Sequence, residues 1–400
     1  MSYVGVIGQG YVGLPLSIAM AEANHRVIGY DNNATLIGEL IQGKSHIEDV
    51  TNSKLMELIK SGFYLPTTTP SKLNDCEIIV IALPTPLTEN KEPDLKFIYS
   101  AVDLISNTVT GEKLIINEST SYPGTLRNEI AKRISAISGI NHRYASAPER
   151  IDPGNKVWTI KKTPRIIAGL DFDSLCEASA FYSTFTDIVI RVSSPEVAEM
   201  SKLVENSFRQ VNIAFVNEVA QISERFDISV SEVLEAAASK PYGFMKFLPG
   251  AGVGGHCIPI DPIYLAFESE KKGIKSSFIK LSNEINESMP LYVVSRVAQY
   301  FNNNLKDKKI LIIGLAYKSD VSDTRESPAI KVIKILRTTG ALVAWHDNLV
   351  KFWNGEKSQE ILDYDIAIIV TKHANLDLDK VRKIPYVFDC LGSLESTARQ

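Results

Sequence analysis

Gly8, Gly10 and Gly13 stand as G-x-G-x-x-G at the end of an apolar run that begins at Tyr3, and Asp31 closes the next apolar run, 18 residues beyond Gly13. The periodicity reads strand, glycine turn, helix, strand, which makes one βαβ unit. Each glycine has its own reason: the first permits a tight turn, the second lets a pyrophosphate approach the backbone, and the third lets helix and strand pack closely. The free N–H groups of the helix N-terminus then face the phosphates. A glycine triplet alone is weak evidence, since a tight turn in any doubly wound fold would use one. The strand before it, the helix after it and the placed acid make it specific for a dinucleotide. Asp31 would accept hydrogen bonds from ribose hydroxyls and repel a 2′-phosphate, so the expected cofactor is NAD, held by Gly8, Gly10, Tyr11, Val12, Gly13 and Asp31.

Further strand signals follow at EIIVIALPTP from Glu77, KLIINEST from Lys113, RYASAPER from Arg143 and RIIAGL from Arg165, separated by helical stretches. The pattern predicts an NAD-binding domain over residues 1–195. In open α/β sheets ligands bind beyond the carboxyl ends of the strands, where Thr85, Glu118 to Thr120 and Glu149 fall. From Ser194 apolar positions recur at helical spacing for some thirty residues, predicting a long helix within a helical central domain, 196–303. Its apolar stripe serves as core or as a face for a homodimer or higher homo-oligomer. At Lys308 the pattern restarts with KKILIIGLAY, a helix from about Ser327, ALVAWHD and DIAIIVT, giving a second domain over 304–400. Gly314 follows its first strand without the full fingerprint, so a nucleotide other than NAD is expected there. The predicted class is α/β, with two Rossmann-like doubly wound domains joined by a helical central region.

With 400 residues, 44% hydrophobic and 22% charged, and a formal net charge of −4, the chain is too long for one core. It lacks the basic footprint of a nucleic-acid binder. No signal-peptide pattern opens it and no apolar run reaches membrane-spanning length, so a cytoplasmic protein without a membrane partner is expected. The histidines His25, His46, His142, His346 and His373 show no metal-ligand spacing, and no metal is expected. Cys76, Cys176, Cys257 and Cys390 form no C-x-x-C pair, against both a zinc site and a disulfide framework. Cys76, Cys176 and Cys390 read as small buried hydrophobes. Cys257 does not, because it lies in FLPGAGVGGHCIPIDPIYL, where Gly250, Gly252, Gly254 and Gly255 let backbone approach a ligand. Asp261 follows four residues later, and Lys202 and Asn206, also four apart, share one face of the long helix. Taken singly, these are also consistent with a solvated helix face, a turn acid beside a proline and, for Glu149, a surface ion pair.

Together they carry a resemblance. The sequence resembles the UDP-glucose/GDP-mannose dehydrogenase family over nearly its whole length, through GQGYVG, P-T-P at Pro84–Pro86, E-S-T at Glu118–Thr120 and P-E-R at Pro148–Arg150. Further matches are K-L-V-E-N at Lys202–Asn206, G-G-H-C-I-P-I-D-P at Gly254–Pro262, and Y-K-x-D-x-x-D-T-R-E-S-P at Tyr317–Pro328. The resemblance implies a four-electron oxidation of a sugar C6 alcohol by two NAD, through a thiohemiacetal and a thioester on Cys257. It implies that Lys202 and Asn206 stabilise oxyanions, Asp261 assists proton transfer, Glu149 helps hydrolysis as a base, and Thr120 orders the water. Ser119 and Thr85 would border the cofactor. Arg150, Phe247, Gly250 and Gly254 would line a UDP-sugar, over which Lys318 and Arg325 close, and Lys318 would also reach the cofactor. Lys240 lies near where the family brings a basic residue from a neighbouring subunit.

UDP-glucose members tend to carry an aromatic or small residue before the cysteine and a lysine before the aspartate. Here stand His256 and Ile260, and P-E-R-I-D-P-G-N looks like the branch that acts on UDP-N-acetylhexosamines. His256 is a ligand contact or a structural residue, since adjacent loop residues point apart. The resemblance therefore favours UDP-N-acetylglucosamine, feeding surface polysaccharide synthesis, with UDP-N-acetylmannosamine or UDP-glucose as alternatives. Two other functions compete: a two-electron hydroxyacid-type dehydrogenase, and a nucleotide sensor that keeps the fold without turnover.

Overall fold

A computed structural model describes residues 1–152 and 154–394. The chain divides into two compact units, Met1–Glu205 and Asn206–Gln400.

The first unit is built on strands β1 (Tyr3–Ile7), β2 (Arg26–Tyr30), β3 (Tyr64–Thr67), β4 (Ile78–Ile81), β5 (Leu114–Asn117), β6 (Arg143–Ser146), β7 (Arg165–Gly169) and β8 (Val189–Arg191). They form one sheet in the order β3-β2-β1-β4-β5-β6-β7-β8. Every residue of β4 and β5 is buried. Strands apolar on both faces need cover on each side, which crossover helices supply and which makes the sheet parallel. Parallel pairing holds from β3 through β6. Strand β7 then runs antiparallel to β6, with Ala145 opposite Gly169 and Ser146 opposite Ala168. That reversal carries Arg165, the first residue of β7, to the edge of the sheet where the parallel strands finish.

The long helix spans Pro195–Arg225, so the unit boundary falls inside it. In the second unit, β9 (Lys309–Ile313), β10 (Leu342–His346), β13 (Ile366–Ile369) and β14 (Tyr386–Asp389) form a parallel sheet in the order β10-β9-β13-β14. The two-residue strands β11 (Phe352–Trp353) and β12 (Glu356–Lys357) make a separate hairpin. Helix Pro328–Thr338 packs Val332, Ile333 and Leu336 into a core shared with Ile310, Ile312, Trp345, Ile366 and Ile368. Its start is set by Ser327, whose hydroxyl accepts from the Ala329 N–H at 3.3 Å, and by Pro328 at the first helical position. The strands expected from the sequence in both units are present, as are the long helix and the helix after Ser327. Among the described residues no helix is long and apolar enough to cross a membrane.

Candidate active site

The three glycines differ in the way their types require. Gly8 has φ +94°, and a Cβ there would lie 2.5 Å from the Ala82 carbonyl oxygen. A Cβ on Gly13 would sit 1.8 Å from the Gly8 oxygen, so helix and turn touch at that point. At Gly10 a Cβ would meet nothing within 4 Å, which leaves the backbone facing open space, as the middle glycine of such a fingerprint requires. Asp31 is half-buried at the end of β2. Its carboxylate accepts from the Gln9 N–H at 2.8 Å and the Asn33 N–H at 2.9 Å. These residues fit a dinucleotide.

Gln9 shows how the turn is held. It is fully buried, and its Oε1 accepts from the Tyr64 hydroxyl at 2.7 Å and the Ser17 hydroxyl at 3.1 Å. Its Nε2 donates to the Val6 and Gly8 carbonyls. Burial, and next the charge of Asp31, push the Tyr64 phenol well above its ordinary value, so it stays a donor.

At the carboxyl edge of the same sheet, Thr85 and Ser119 are buried and Thr120 is half-buried. The Ser119 hydroxyl accepts from the Leu83 N–H at 2.8 Å, which ties the loop after β4 to the end of β5. Glu149 is buried, its N–H donates to the Glu118 carbonyl at 3.1 Å, and its Oε1 accepts from the Ile151 N–H. Lys202 is buried too; burial raises the Glu118 carboxyl above its ordinary value, and the Arg165 charge, the Tyr182 and Arg165 hydrogen bonds and, last, the Lys202 charge work against that.

In the second unit, the Gly254–Gly255 pair presses on the segment from Tyr317 to Glu326. A Cβ at Gly254 would lie 2.8 Å from the Tyr317 Cβ and 2.9 Å from the Glu326 carbonyl oxygen. Gly255, at φ +86°, would meet the Tyr317 ring at 2.7 Å, and its N–H donates to the Arg325 carbonyl at 3.1 Å. This packing delivers Cys257, which is exposed, to the turn before helix Asp261–Lys271. The Cys257 carbonyl accepts from the Asp261 N–H at 2.8 Å. Asp261 is 2% exposed, and its Oδ2 accepts from the Asn206 amide at 2.5 Å. The sequence spacing that set Asp261 beside Cys257 therefore corresponds to one turn of chain, with Asn206 fixed against the carboxylate.

Three family models cover the chain: the NAD binding domain (residues 2–186), the central domain (196–288) and the UDP binding domain (311–396) of the UDP-glucose/GDP-mannose dehydrogenase family. The chain belongs to the UDP-glucose/GDP-mannose dehydrogenase family. It is an NAD-dependent UDP-sugar dehydrogenase. A UDP-N-acetyl-D-mannosamine dehydrogenase of Methanocaldococcus jannaschii is 35% identical over 95% of this chain and 88% of its own length. Among solved structures, the Pyrococcus horikoshii UDP-D-ManNAc dehydrogenase superposes with a TM-score of 0.90 at 28% identity, covering 99% of this chain and 97% of that one. The Staphylococcus aureus UDP-N-acetyl-mannosamine dehydrogenase gives 0.87 at 31% identity, covering 100% and 97%.

Several residues of the dehydrogenase are already engaged within their own units. Arg150 donates to the Glu205 carboxylate at 2.6 Å and the Pro164 carbonyl at 2.8 Å. Arg325, exposed, pairs with Asp323 at 2.6 Å, and Lys318 is half-exposed. Phe247, half-buried, meets Phe208 edge to face with ring centroids 6.1 Å apart. Gly250 donates its N–H to the Asn217 side chain at 2.9 Å. Burial, and next the Arg325 charge, lower His256 below the ordinary imidazole value, which makes it a neutral neighbour of Cys257. Among the other cysteines, Cys76 and Cys390 are buried as expected, and burial pushes the Cys76 thiol up to about 12. Cys176 departs from expectation: it is only partly covered, on helix Phe172–Tyr182.

Sequence reasoning missed Gln9, although a glutamine between two fingerprint glycines was visible. It also missed Arg165 and Tyr182, which embrace Glu118. The Arg165 guanidinium donates to Glu118 at 2.9 Å, and the Tyr182 hydroxyl donates to the other oxygen. Nothing in RIIAGL signals that its first residue crosses to a neighbouring strand end.

Proposed function

We propose that this dehydrogenase oxidises the C6 alcohol of UDP-N-acetylmannosamine to the carboxylate through a covalent intermediate on Cys257, supplying a precursor for surface polysaccharide. The observation that carries the chemistry is the exposed thiol at a helix start, one turn before a buried Asp261 that is hydrogen-bonded to Asn206. NAD, when bound, accepts a hydride in each of two oxidations. Asp261 takes the proton as the alcohol becomes an aldehyde. The Cys257 sulfur adds to the aldehyde carbon and the carbonyl oxygen gains a proton, which retains the aldehyde as a thiohemiacetal. Loss of that hydroxyl proton and the second hydride gives a thioester. Water then adds, the C–S bond breaks and the thiol is restored. Over the cycle one alcohol, two NAD⁺ and one water yield one carboxylate, two NADH and three protons. Lys202 and the Asn206 amide are suited to the oxyanions, Glu149 to removing a proton from water, and Thr120 to orienting that water.

His256, Ile260 and the P-E-R segment point to an N-acetylated sugar, and the names of the relatives move the preference from the gluco to the manno epimer. The long helix exposes Val197, Met200, Val204, Phe208, Phe215 and Ile222, an apolar stripe suited to a dimer. NADH yield from limiting UDP-N-acetylmannosamine, UDP-N-acetylglucosamine and UDP-glucose tests this reading. It expects two NADH per molecule and the highest kcat/KM for the manno substrate. A yield of one would identify a two-electron dehydrogenase, and no turnover of any of the three would fit a sensor.

A further inference from the structure

Arg165 is 2% exposed and Glu118 fully buried, and burying a charged pair costs free energy that hydrogen bonds must offset. Continuing the β6–β7 register past Ser146 and Ala168 sets residue 149 across from residue 165. The recorded pairing stops at Ser146 and Ala168, but the Arg150 side chain donates to the Pro164 carbonyl at 2.8 Å, which ties the segment after β6 to the start of β7. The Glu149 N–H is meanwhile bonded to the Glu118 carbonyl, and the Glu118 side chain in turn accepts from the Arg165 guanidinium, so the three residues are linked through Glu118. Burial works against the charge of Arg165, but Glu118, Tyr182 and Glu149 outweigh it and raise the guanidinium above its ordinary value.

We propose that Arg165 is a positioning residue that, braced by Glu118 and Tyr182, holds Glu149 as an aimed carboxylate for thioester hydrolysis. This rests on the reading of Glu149 as the hydrolytic base. The other charged groups around the position are Lys202, which acts on Glu118 from the long helix, and the outer pair Arg150–Glu205. A guanidinium suits the role because its planar fork has donors for a second acceptor beyond Glu118, whereas an ammonium is a point charge.

The test is the pH dependence of acid release in a single turnover, measured by rapid quench in wild type, Arg165→Met, Arg165→Lys and Glu149→Gln, with folding checked by thermal melts. Wild type should lose rate below an acid limb, and Glu149→Gln should abolish the limb. Arg165→Met should move the limb up by about one pH unit, or about tenfold in rate on its acid side. Arg165→Lys should move it less, but measurably, because lysine satisfies one carboxylate only. If Arg165→Met does not fold, the lysine variant decides. A rate that falls equally at every pH, with the limb in place, overturns the proposal. A limb that survives Glu149→Gln instead overturns the reading of Glu149, and the two failures are distinct.

Discussion

Asp31 and Asp347 each stand after the second strand of a βαβ unit and accept an N–H from the turn after the first strand, yet only Asp31 keeps a face toward solvent. Asp347 is 1% exposed and accepts from the N–H groups of Leu315, Ala316, Leu349 and Val350 and from His373 at 3.1 Å. The same design thus leaves a carboxylate face open in one unit and closes it internally in the other. Asp31→Ala is expected to raise the KM for NAD by about tenfold to a hundredfold, because a carboxylate bond to ribose is worth about 1.5–3 kcal/mol. Asp347→Asn should leave that KM alone and cost about 2–4 kcal/mol of stability, read by denaturant unfolding. Burial would raise Asp347, but the His373 and backbone bonds hold its carboxyl below the ordinary value. A depressed acid stabilises the fold above its unfolded value, so the contribution is full above about pH 5 and is lost as pH falls below about 4 toward the folded value.

The glycines separate binding from folding. Gly10→Ala meets open space and should leave the melting temperature within about 2 °C while raising the KM for NAD at least tenfold, by keeping the pyrophosphate off the backbone. Gly13→Ala puts a methyl into the Gly8 carbonyl and should lower the melting temperature itself. Equal melting temperatures for the two variants would contradict this division.

Glu199 sets a second pH effect. It is 1% exposed and accepts from the Gly124 N–H at 2.6 Å and the Leu126 N–H at 2.8 Å, which anchors the long helix to the loop that carries Thr120. Burial outweighs those bonds and pushes its carboxyl up to about 8. Between the unfolded value, about 4.5, and about 8 the folded state therefore holds a proton that the unfolded state has lost, so stability falls as pH rises through that window. Glu199→Gln should flatten the slope of unfolding free energy between pH 5 and pH 8. A slope unchanged from wild type would show that Glu199 is already ionised at pH 5.

The fingerprint, the strand runs and the long helix were legible in the sequence because each is a local pattern with a local cause: glycine at a forced turn, apolar runs in covered strands, helical spacing. The link from Cys257 to Asp261 was legible for the same reason, since four residues span one turn at a helix start. What was hidden depends on pairing between distant segments. The antiparallel entry of β7 brings Arg165 to Glu118 across 47 positions, and no periodicity encodes that reversal. Nor did the sequence show that the Arg150 and Arg325 side chains, read as ligand contacts, are paired with Glu205 and Asp323. The choice between epimers was equally out of reach, because it rests on side-chain placement around one sugar carbon.

The central claim is covalent capture on Cys257, and the most direct measurement is acid formation by Cys257→Ser with saturating NAD and UDP-N-acetylmannosamine. The account predicts a folded enzyme with acid release lowered by at least about a thousandfold, as expected when a nucleophile is removed. Acid release at the wild-type rate, with two NADH per sugar, would contradict it.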